Sequence, residues 1–361
     1  MTHSLARGGS PIFLIEFARA FRVQAGELLL ITEQDGPLRP DFEALGVRVI
    51  IEPRGGILEA GLLWRLHRTL RRERVALVHL NTFSSYYKYG AIAARLAKLP
   101  VVWGIREDVR AKRCRRLYPW IKRLATCIMP CSREIAERLY PEGAPAKVEV
   151  VHDGLPLRAA PVSAPNLREW LKIPAGAKII GCVAALEPRK GIKELIQAFA
   201  LLRQRGVDAH LVCAGEDRSA GHTYLPMLKE LIAELDLGER IHLTGGRADV
   251  AGFYPQFDVF TLPTYWEGIS RVLLEAAFAN CPIVTTRAGG NGEFVADGQG
   301  GLLAPPGDVP ALAAALERML GDRSFAQRCA AHSRVVLERG FTLDAHVEKV
   351  RAIYERLLAS R

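Results

Sequence analysis

No stretch of this sequence approaches the roughly 18 consecutive apolar residues that a membrane-spanning helix needs. Its longest apolar runs, such as those at 75–78 and 211–214, are strand-sized, so no transmembrane helix is expected. The opening residues, MTHSLARGGSP, lack the charged segment and following apolar core of a secretory signal, and a cytoplasmic location is the expectation. The cysteines are few and scattered, at 114, 127, 131, 182, 213, 281 and 329, with no C-x-x-C pair. Neither a disulfide framework nor a zinc site is suggested, and buried reduced thiols are expected. Low-complexity tracts and internal repeats are absent, and no G-x-G-x-x-G follows an early strand. That last absence weighs against a nicotinamide-binding dehydrogenase, which α/β alternation alone would permit.

What is present is a chain of 361 residues, 49% hydrophobic and 24% charged, long enough for about two ordinary domains. Its formal net charge of +10 is uneven: residues 1–155 hold 25 Lys and Arg against 16 Asp and Glu, and residues 156–361 hold 24 against 23. An excess confined to one half points to a polyanionic or membrane-surface partner met by one domain only.

Short β-rich runs at 27–32, 47–51, 76–80, 101–103 and 148–152 alternate with helical patterns. The rhythm restarts after the Pro- and Ala-rich stretch 155–165, with strands expected near 178–184, 209–214, 241–244, 259–263 and 282–285. Such alternation predicts doubly wound parallel sheets, whose ligands bind outside the carboxyl ends of the strands. The expected organisation is an N-terminal Rossmann-like domain over 1–157, a second over 166–340 and a C-terminal helix within 341–361 returning to the first. The two rims would face each other across a cleft. Residues 3–11 read as a glycine-containing loop entering a helix over 12–22, with no strand ahead of it, so the first strand of the first domain is expected to be missing.

The segment 262–293, LPTYWEGISRVLLEAAFANCPIVTTRAGGNGE, is the most informative. A strand ending at Pro263 leads through a short loop into a helix expected from about Ile269 to Asn280. Glu267 precedes that helix and Glu275 lies within it, roughly 12 Å further along its axis. The amides of Gly268, Ile269, Ser270 and Arg271 would lack intrahelical acceptors and form a partial positive site for phosphate or sugar oxygens. A second block, CVAALEPRKGIKELI at 182–196, sets Arg189 and Lys190 at the carboxyl end of another strand. Read singly, two glutamates at this spacing are more often solvated helix positions, and Arg189 with Lys190 more often a solvated cation pair.

Taken together these segments resemble the family 4 retaining glycosyltransferases of GT-B fold over nearly the whole chain. LEPRKGIKELIQAF, HLTGGRADVAGFYPQFDVFTLP, TYWEGISRVLLEA and AGGNGEFVADGQGGLLAPPGDVPAL occur in the family's order and spacing. The resemblance implies a nucleotide-diphosphate sugar (UDP- or GDP-sugar) as donor and a glycan or lipid-linked acceptor, in synthesis of cell-surface polysaccharide, lipopolysaccharide or glycolipid. It further implies that Lys190, helped by Arg189, neutralises the donor diphosphate. Glu267 would bond sugar hydroxyls, the amides of Gly268, Ile269 and Ser270 would meet sugar or phosphate, Glu275 would bind the ribose, and the loop at Gly245–Arg247 would border the base. Gly9, in Gly8-Gly9-Ser10, stands where an acceptor-side loop approaches the diphosphate. No D-x-D occurs, so no metal cofactor is expected, and protein cations with helix dipoles would balance the charge.

Two departures stand out. Relatives commonly carry Gly-Arg-Leu before the Lys-Gly turn, whereas this chain has Ala184-Ala185-Leu186, leaving Arg189 to substitute. Many relatives place a histidine after the strand of VVWG type, where here Glu107 and Asp108 follow as candidates to orient the acceptor, take its proton or stabilise a cationic sugar ring; an N-cap for the next helix is the competing reading. In retaining chemistry of this kind the acceptor attacks the face the diphosphate leaves, so the departing phosphate can take the proton. His152-Asp153-Gly154 reads as structural. Residues 106–123, REDVRAKRCRRLYPWIKR, hold eight Lys or Arg among aromatic and apolar residues, which suits an anionic membrane surface on the inner face of the cytoplasmic membrane. No nucleic-acid-binding motif accompanies them. A noncatalytic sugar- or lipid-binding protein and a nucleotide-sugar isomerase are the alternative functions.

Overall fold

The computed structural model describes residues 1–6, 9–22, 28–55, 59–81, 84–107, 115–157 and 163–360. It forms two compact units, Met1–Pro156 with Thr342–Arg361, and Leu157–Phe341.

In the first unit β1 (Thr2–Ser4), β2 (Leu29–Gln34) and β3 (Arg48–Ile51) pair in parallel, as do β4 (Val78–Leu80), β5 (Val101–Ile105) and β6 (Cys127–Pro130). Met1 links the two sets, its amino group donating to the His79 carbonyl and its carbonyl accepting from the Asn81 amide at 3.3 Å. The resulting order, β3-β2-β1-β4-β5-β6, is that of a doubly wound sheet. The expectation of a missing first strand is thereby corrected. Thr-His-Ser is too short and too polar to show strand periodicity, yet Thr2 is buried and pairs with Thr32 of β2.

Two more boundaries moved. The sixth strand is Cys127–Pro130; the expected strand at 148–152 runs beside it, held by the Glu149 and Val151 amides donating to the Ile128 and Pro130 carbonyls, and forms only an isolated bridge. The first helix, α1 (Gly9–Arg22), starts three residues before its expected position, so Gly9 is its first residue and not part of a loop. The helices α2 (Arg39–Ala44), α3 (Ala60–Arg72), α4 (Ser85–Leu96), α5 (Tyr118–Leu124) and α6 (Arg133–Leu139) follow.

The second unit carries one sheet of six parallel strands, β7 (Lys178–Val183), β8 (Ala209–Ala214), β9 (Ile241–Leu243), β10 (Val259–Leu262), β11 (Ile283–Thr286) and β12 (Leu302–Ala304), ordered β12-β11-β10-β7-β8-β9. Its longer helices are α7 (Ile192–Gln204), α8 (Tyr224–Glu234), α9 (Arg271–Phe278), α10 (Val309–Gly321) and α11 (Arg323–Gly340), besides the single turns Leu167–Trp170 and Asn291–Phe294. The strands bury both faces, as parallel strands must: every residue of β8, β10 and β11 is buried. Between β7 and β10 the order reverses, which makes their carboxyl ends the topological switch point where such folds hold ligands.

The chain then re-enters the first unit with α12 (Leu343–Ala359), capped by Thr342, whose hydroxyl accepts from the Ala345 amide at 3.1 Å. Leu343, Val347, Val350 and Ile353 form one helical stripe that packs on Phe13, Phe17 and Phe21 of α1. Right-handed crossovers place α1 and α2 on one face of this sheet and α3, α4 and α5 on the other; α1 contacts α2 and α12, while α3 contacts α4 and α4 contacts α5.

Candidate active site

After β7 the chain makes a tight turn, Pro188–Lys190, closed by Gly191 at φ 70°. A side chain at Gly191 would overlap the Pro263 carbonyl, so only glycine lets this turn press against the strand end of β10. The two segments are stitched together, because the Arg189 carbonyl accepts from the Tyr265 amide at 2.9 Å and the Thr264 hydroxyl at 3.0 Å. Residues more than 70 positions apart in sequence thus share one site.

Within it the Lys190 ammonium donates to Glu267 Oε1, and Arg189 donates to the same oxygen at 3.0 Å. Both Lys190 and Glu267 side chains are 14% exposed. Arg189 also bonds Glu187 at 2.6 Å. Burial works against its cation, but Glu267 and Glu187 outweigh that and hold its pKa above the ordinary arginine value. Glu267 is fixed from behind by the loop after β11: the Gly290 amide donates to the Gly268 carbonyl at 2.8 Å and to the Glu267 carbonyl at 3.2 Å. Gly289, at φ 57°, lies so close that a Cβ would overlap the Glu267 carbonyl.

α9 starts at Arg271, two residues beyond the expected Ile269. Ser270 occupies its N-cap position with no capping bond from its own hydroxyl, and the amides of Gly268, Ile269 and Ser270 lie ahead of the first turn, where helical geometry supplies no acceptor. Glu275 sits on α9 with both carboxylate oxygens engaged, one by the Tyr254 hydroxyl at 2.7 Å and the other by Arg271 at 2.9 Å. Burial first, then the neighbouring carboxylate, push the Tyr254 phenol well above its usual range, so it is a fixed donor at neutral pH. Arg247 is engaged by Asp249 at 2.6 and 2.8 Å and lies over Trp170 at 4.6 Å. The structure therefore unites Arg189, Lys190 and Glu267, and sets Glu275 and Arg247 in two separate hydrogen-bonded groups. Tyr254, Gly289 and Thr264 were not singled out from sequence, and Arg271 only for its amide and not its side chain; the glycine in Ala-Gly-Gly was the one available signal.

In the first unit Glu107 follows β5, and one of its oxygens accepts from the Arg106 amide at 3.3 Å. Asp108 lies outside the described residues. Beside Glu107, Arg106 is largely buried and donates to both oxygens of Asp153, at 3.0 and 2.8 Å, and to the carbonyl and side-chain oxygens of Asn81 at 2.8 and 2.9 Å. Among the described residues no group of three or more His, Cys, Asp or Glu side chains could hold a metal ion, and no helix is long and apolar enough to cross a membrane.

Two family models match this chain, Glycosyltransferase Family 4 over residues 7–158 and Glycosyl transferases group 1 over residues 163–336. The chain belongs to the family 4 glycosyltransferases. The enzyme is 25% identical over 358 residues to the Escherichia coli UDP-Gal:alpha-D-GlcNAc-diphosphoundecaprenol alpha-1,3-galactosyltransferase, an alignment covering 93% of this chain and 90% of that protein. It is 31% identical to the Rhizobium meliloti lipopolysaccharide core biosynthesis glycosyltransferase LpsE over 194 residues, about half of each chain (54% and 53%). In fold it matches the Anabaena protein HepE, solved in complex with UDP, with a TM-score of 0.85 at 22% identity over 98% of this chain and 99% of that one. The two doubly wound units are those of the GT-B glycosyltransferases, and the alternatives of a noncatalytic protein or an isomerase are set aside.

Proposed function

We propose that the enzyme is a retaining transferase that takes a sugar from a UDP-sugar and gives it to a lipid-linked glycan acceptor of polyprenyl-diphosphate type. The observation that carries this reading is the convergence of Lys190, Arg189 and Glu267 at the switch point beside the amides that precede α9. The E. coli relative, aligned along nearly its whole length, acts with UDP-Gal on a diphosphoundecaprenol-linked sugar, and HepE binds UDP; both favour this pairing of donor and acceptor.

Lys190 and Glu267 hold each other while no donor is bound. On binding, the Lys190 ammonium turns to the diphosphate, Arg189 takes the place of the arginine absent at Ala185, and the Gly268, Ile269 and Ser270 amides receive the remaining oxygens. Glu267, released from Lys190, accepts from the hydroxyls of the sugar. The acceptor oxygen then attacks the anomeric carbon from the side the diphosphate leaves, its proton passing to the departing phosphate as the sugar–phosphate bond breaks. Glu275 takes a ribose hydroxyl with the lone pairs that Tyr254 and Arg271 leave free, and the Gly245–Arg247 loop borders the base. Glu107 faces the acceptor, and the amino end of α1 at Gly9 lies on the same rim of the first unit. With charge compensated by protein groups, no metal is required.

Thermal-shift titration with a panel of UDP- and GDP-sugars, followed by transfer assays with and without a chelator, tests the proposal. Lys190→Ala and Glu267→Ala should each slow transfer at least about tenfold, near 1.4 kcal/mol of barrier, and the chelator should change nothing. Unaltered turnover in both variants removes the assigned roles.

A further inference from the structure

The two helical faces of the first unit differ in charge. On one, α1, α2 and α12 carry six Lys or Arg and six Asp or Glu. On the other, α3 contributes four arginines, α4 contributes Lys88 and Arg95, and α5 contributes Lys122 and Arg123, with no Asp or Glu in any of the three helices. Carboxylates from neighbouring segments reach only part of this layer: Glu52 pairs with Arg65, and Glu73 pairs with Arg72 and Arg48. Lys147 adds a further cation beside Arg95; burial and then that arginine lower its pKa.

The same layer bears the two most exposed large apolar side chains among the described residues. Trp64 on α3 and Leu96 on α4 are each 60% exposed, and Trp120 on α5 is 39% exposed. Trp64 is not needed to seat its helix, since α3 packs through Leu62, Leu66 and Leu70. Each exposed ring has a cation over it: Arg68 stands 5.2 Å from the Trp64 ring, and Lys88 lies 5.2 Å from Trp120 and 4.6 Å from Tyr89. Trp64, Tyr89 and Trp120 all fall in the first half of their helices. As crossover helices these run back against the direction of the strands, so the aromatic row lies toward the strand carboxyl ends, the rim that holds Asn81, Arg106 and Glu107.

We infer that the outer face of α3, α4 and α5 docks on an anionic lipid bilayer, with Trp64 and Trp120 at the headgroup level. This rests on the proposed lipid-linked acceptor only for its purpose, which is to set the acceptor rim against the layer from which a lipid diphosphate emerges. Interleaved tryptophan and arginine suit this occupant: indoles partition to the polar–apolar boundary, and cations gain from the negative surface potential of the leaflet. The surface is wider than the 106–123 segment noted in the sequence, part of which lies outside the described residues. Half of the cations on its three helices come from α3.

The test is co-sedimentation of the full chain with vesicles of phosphatidylcholine alone and with added phosphatidylglycerol, at low and high salt. Binding is expected only to the anionic vesicles and should fade with salt. At about fivefold per basic side chain, the combined variant Arg68→Ser, Arg71→Ser, Arg95→Ser and Lys122→Ser should bind at least about a hundredfold more weakly. Trp64→Ser with Trp120→Ser should weaken binding without removing its salt dependence. All these side chains are exposed or partly so, and the variants should keep the parent's melting temperature, UDP-sugar binding and transfer to a short water-soluble acceptor. Absence of wild-type binding to anionic vesicles, undiminished binding by the charge variant, or tighter binding to DNA or to a soluble anionic polysaccharide at equal salt would each overturn the inference. Should transfer to the soluble acceptor fail while docking persists, the functional reading falls and the docking surface stands.

Discussion

The two units end their central strands in opposite ways. At the switch point of the second unit, Lys190 and Arg189 share one oxygen of Glu267, an arrangement in which a ligand anion can replace a carboxylate that has another use. At the end of β5 in the first unit, Arg106 is spent: two bonds to Asp153, two to Asn81 and the ring of Phe13 at 5.0 Å leave it nothing to exchange. A conspicuous arginine on a strand-end rim is therefore not evidence of a phosphate site. What distinguishes the two is whether the partner carboxylate belongs to the site or to the scaffold. Asp153 belongs to the scaffold, since Gly154 next to it lies against the Thr342 carbonyl with no room for a side chain, and the Leu343 amide donates to the Leu155 carbonyl where α12 begins.

The largest effect should come from breaking the scaffold arginine. Arg106→Ala leaves the Asp153 carboxylate without its partner and should cost about 3–5 kcal/mol of stability, with UDP-sugar affinity unchanged. Chemical denaturation alongside donor titration measures both. A donor affinity that collapsed while stability held would place Arg106 in the site and erase the distinction.

Acid should act on the same seam. Burial holds the His346 imidazole down to about 4, against the help of Asp153 at 4.0 Å, and its Nδ1 donates to the His152 carbonyl at 2.8 Å. Its folded pKa lies below the unfolded value of about 6.5, so below that pH the unfolded chain binds the proton more readily. Stability is then lost as pH falls from about 6.5 to about 4, by about 3 kcal/mol in total. His346→Gln, which keeps a donor for the carbonyl, should remove that part of the pH dependence. Parallel stability curves for the two proteins across this window would show that His346 is protonated within the folded chain.

In the second unit the sharpest lever is a glycine. Gly289→Ala forces the Glu267 carbonyl to move, and a shift of about 1 Å in a positioned group can lower the rate roughly a hundredfold. Transfer should fall by that order while the first unit's melting is untouched, a contrast that calorimetry with a transfer assay resolves. Full activity in Gly289→Ala would mean that Glu267 tolerates displacement and does not hold the sugar.

How much of this was legible in the sequence follows the same division. The alternation of strands and helices is written in apolar runs, and the family in blocks such as EPRKG and EGISRVLLEA, so fold class and family were both readable. The strands that periodicity missed are ones it describes poorly: Thr2–Ser4 is three polar residues, Leu302–Ala304 is only three residues between glycines and prolines, and Cys127–Pro130 ends in a proline that a central strand would not accept but this ladder tolerates at its close. Local spacing could place Glu267 and Lys190 on loops but not against each other. That contact is set by β7 and β10 being neighbours in the sheet, which depends on the order of six strands. The Arg106 network was hidden for a related reason, as its partners come from residues 81 and 153 with no motif in common.

The smallest expected effect tests a carboxylate that could belong to either class. Glu275 resembles Asp153 in having both oxygens occupied, yet it stands on α9 directly after the amides that precede the helix. If a ribose hydroxyl adds to those bonds, Glu275→Gln should weaken UDP binding by about 1 kcal/mol, close to fivefold, because the amide keeps an acceptor for Tyr254 but loses its charge. Tyr254→Phe serves as the counterweight: it removes a buried donor from the same carboxylate, costing about 1 kcal/mol of stability, and should leave UDP affinity close to that of the parent. Isothermal titration of both variants with UDP separates the cases. A dissociation constant that moved in Tyr254→Phe but not in Glu275→Gln would make Glu275 a post that seats the buried tyrosine, and would move it to the scaffold side of the comparison with Asp153.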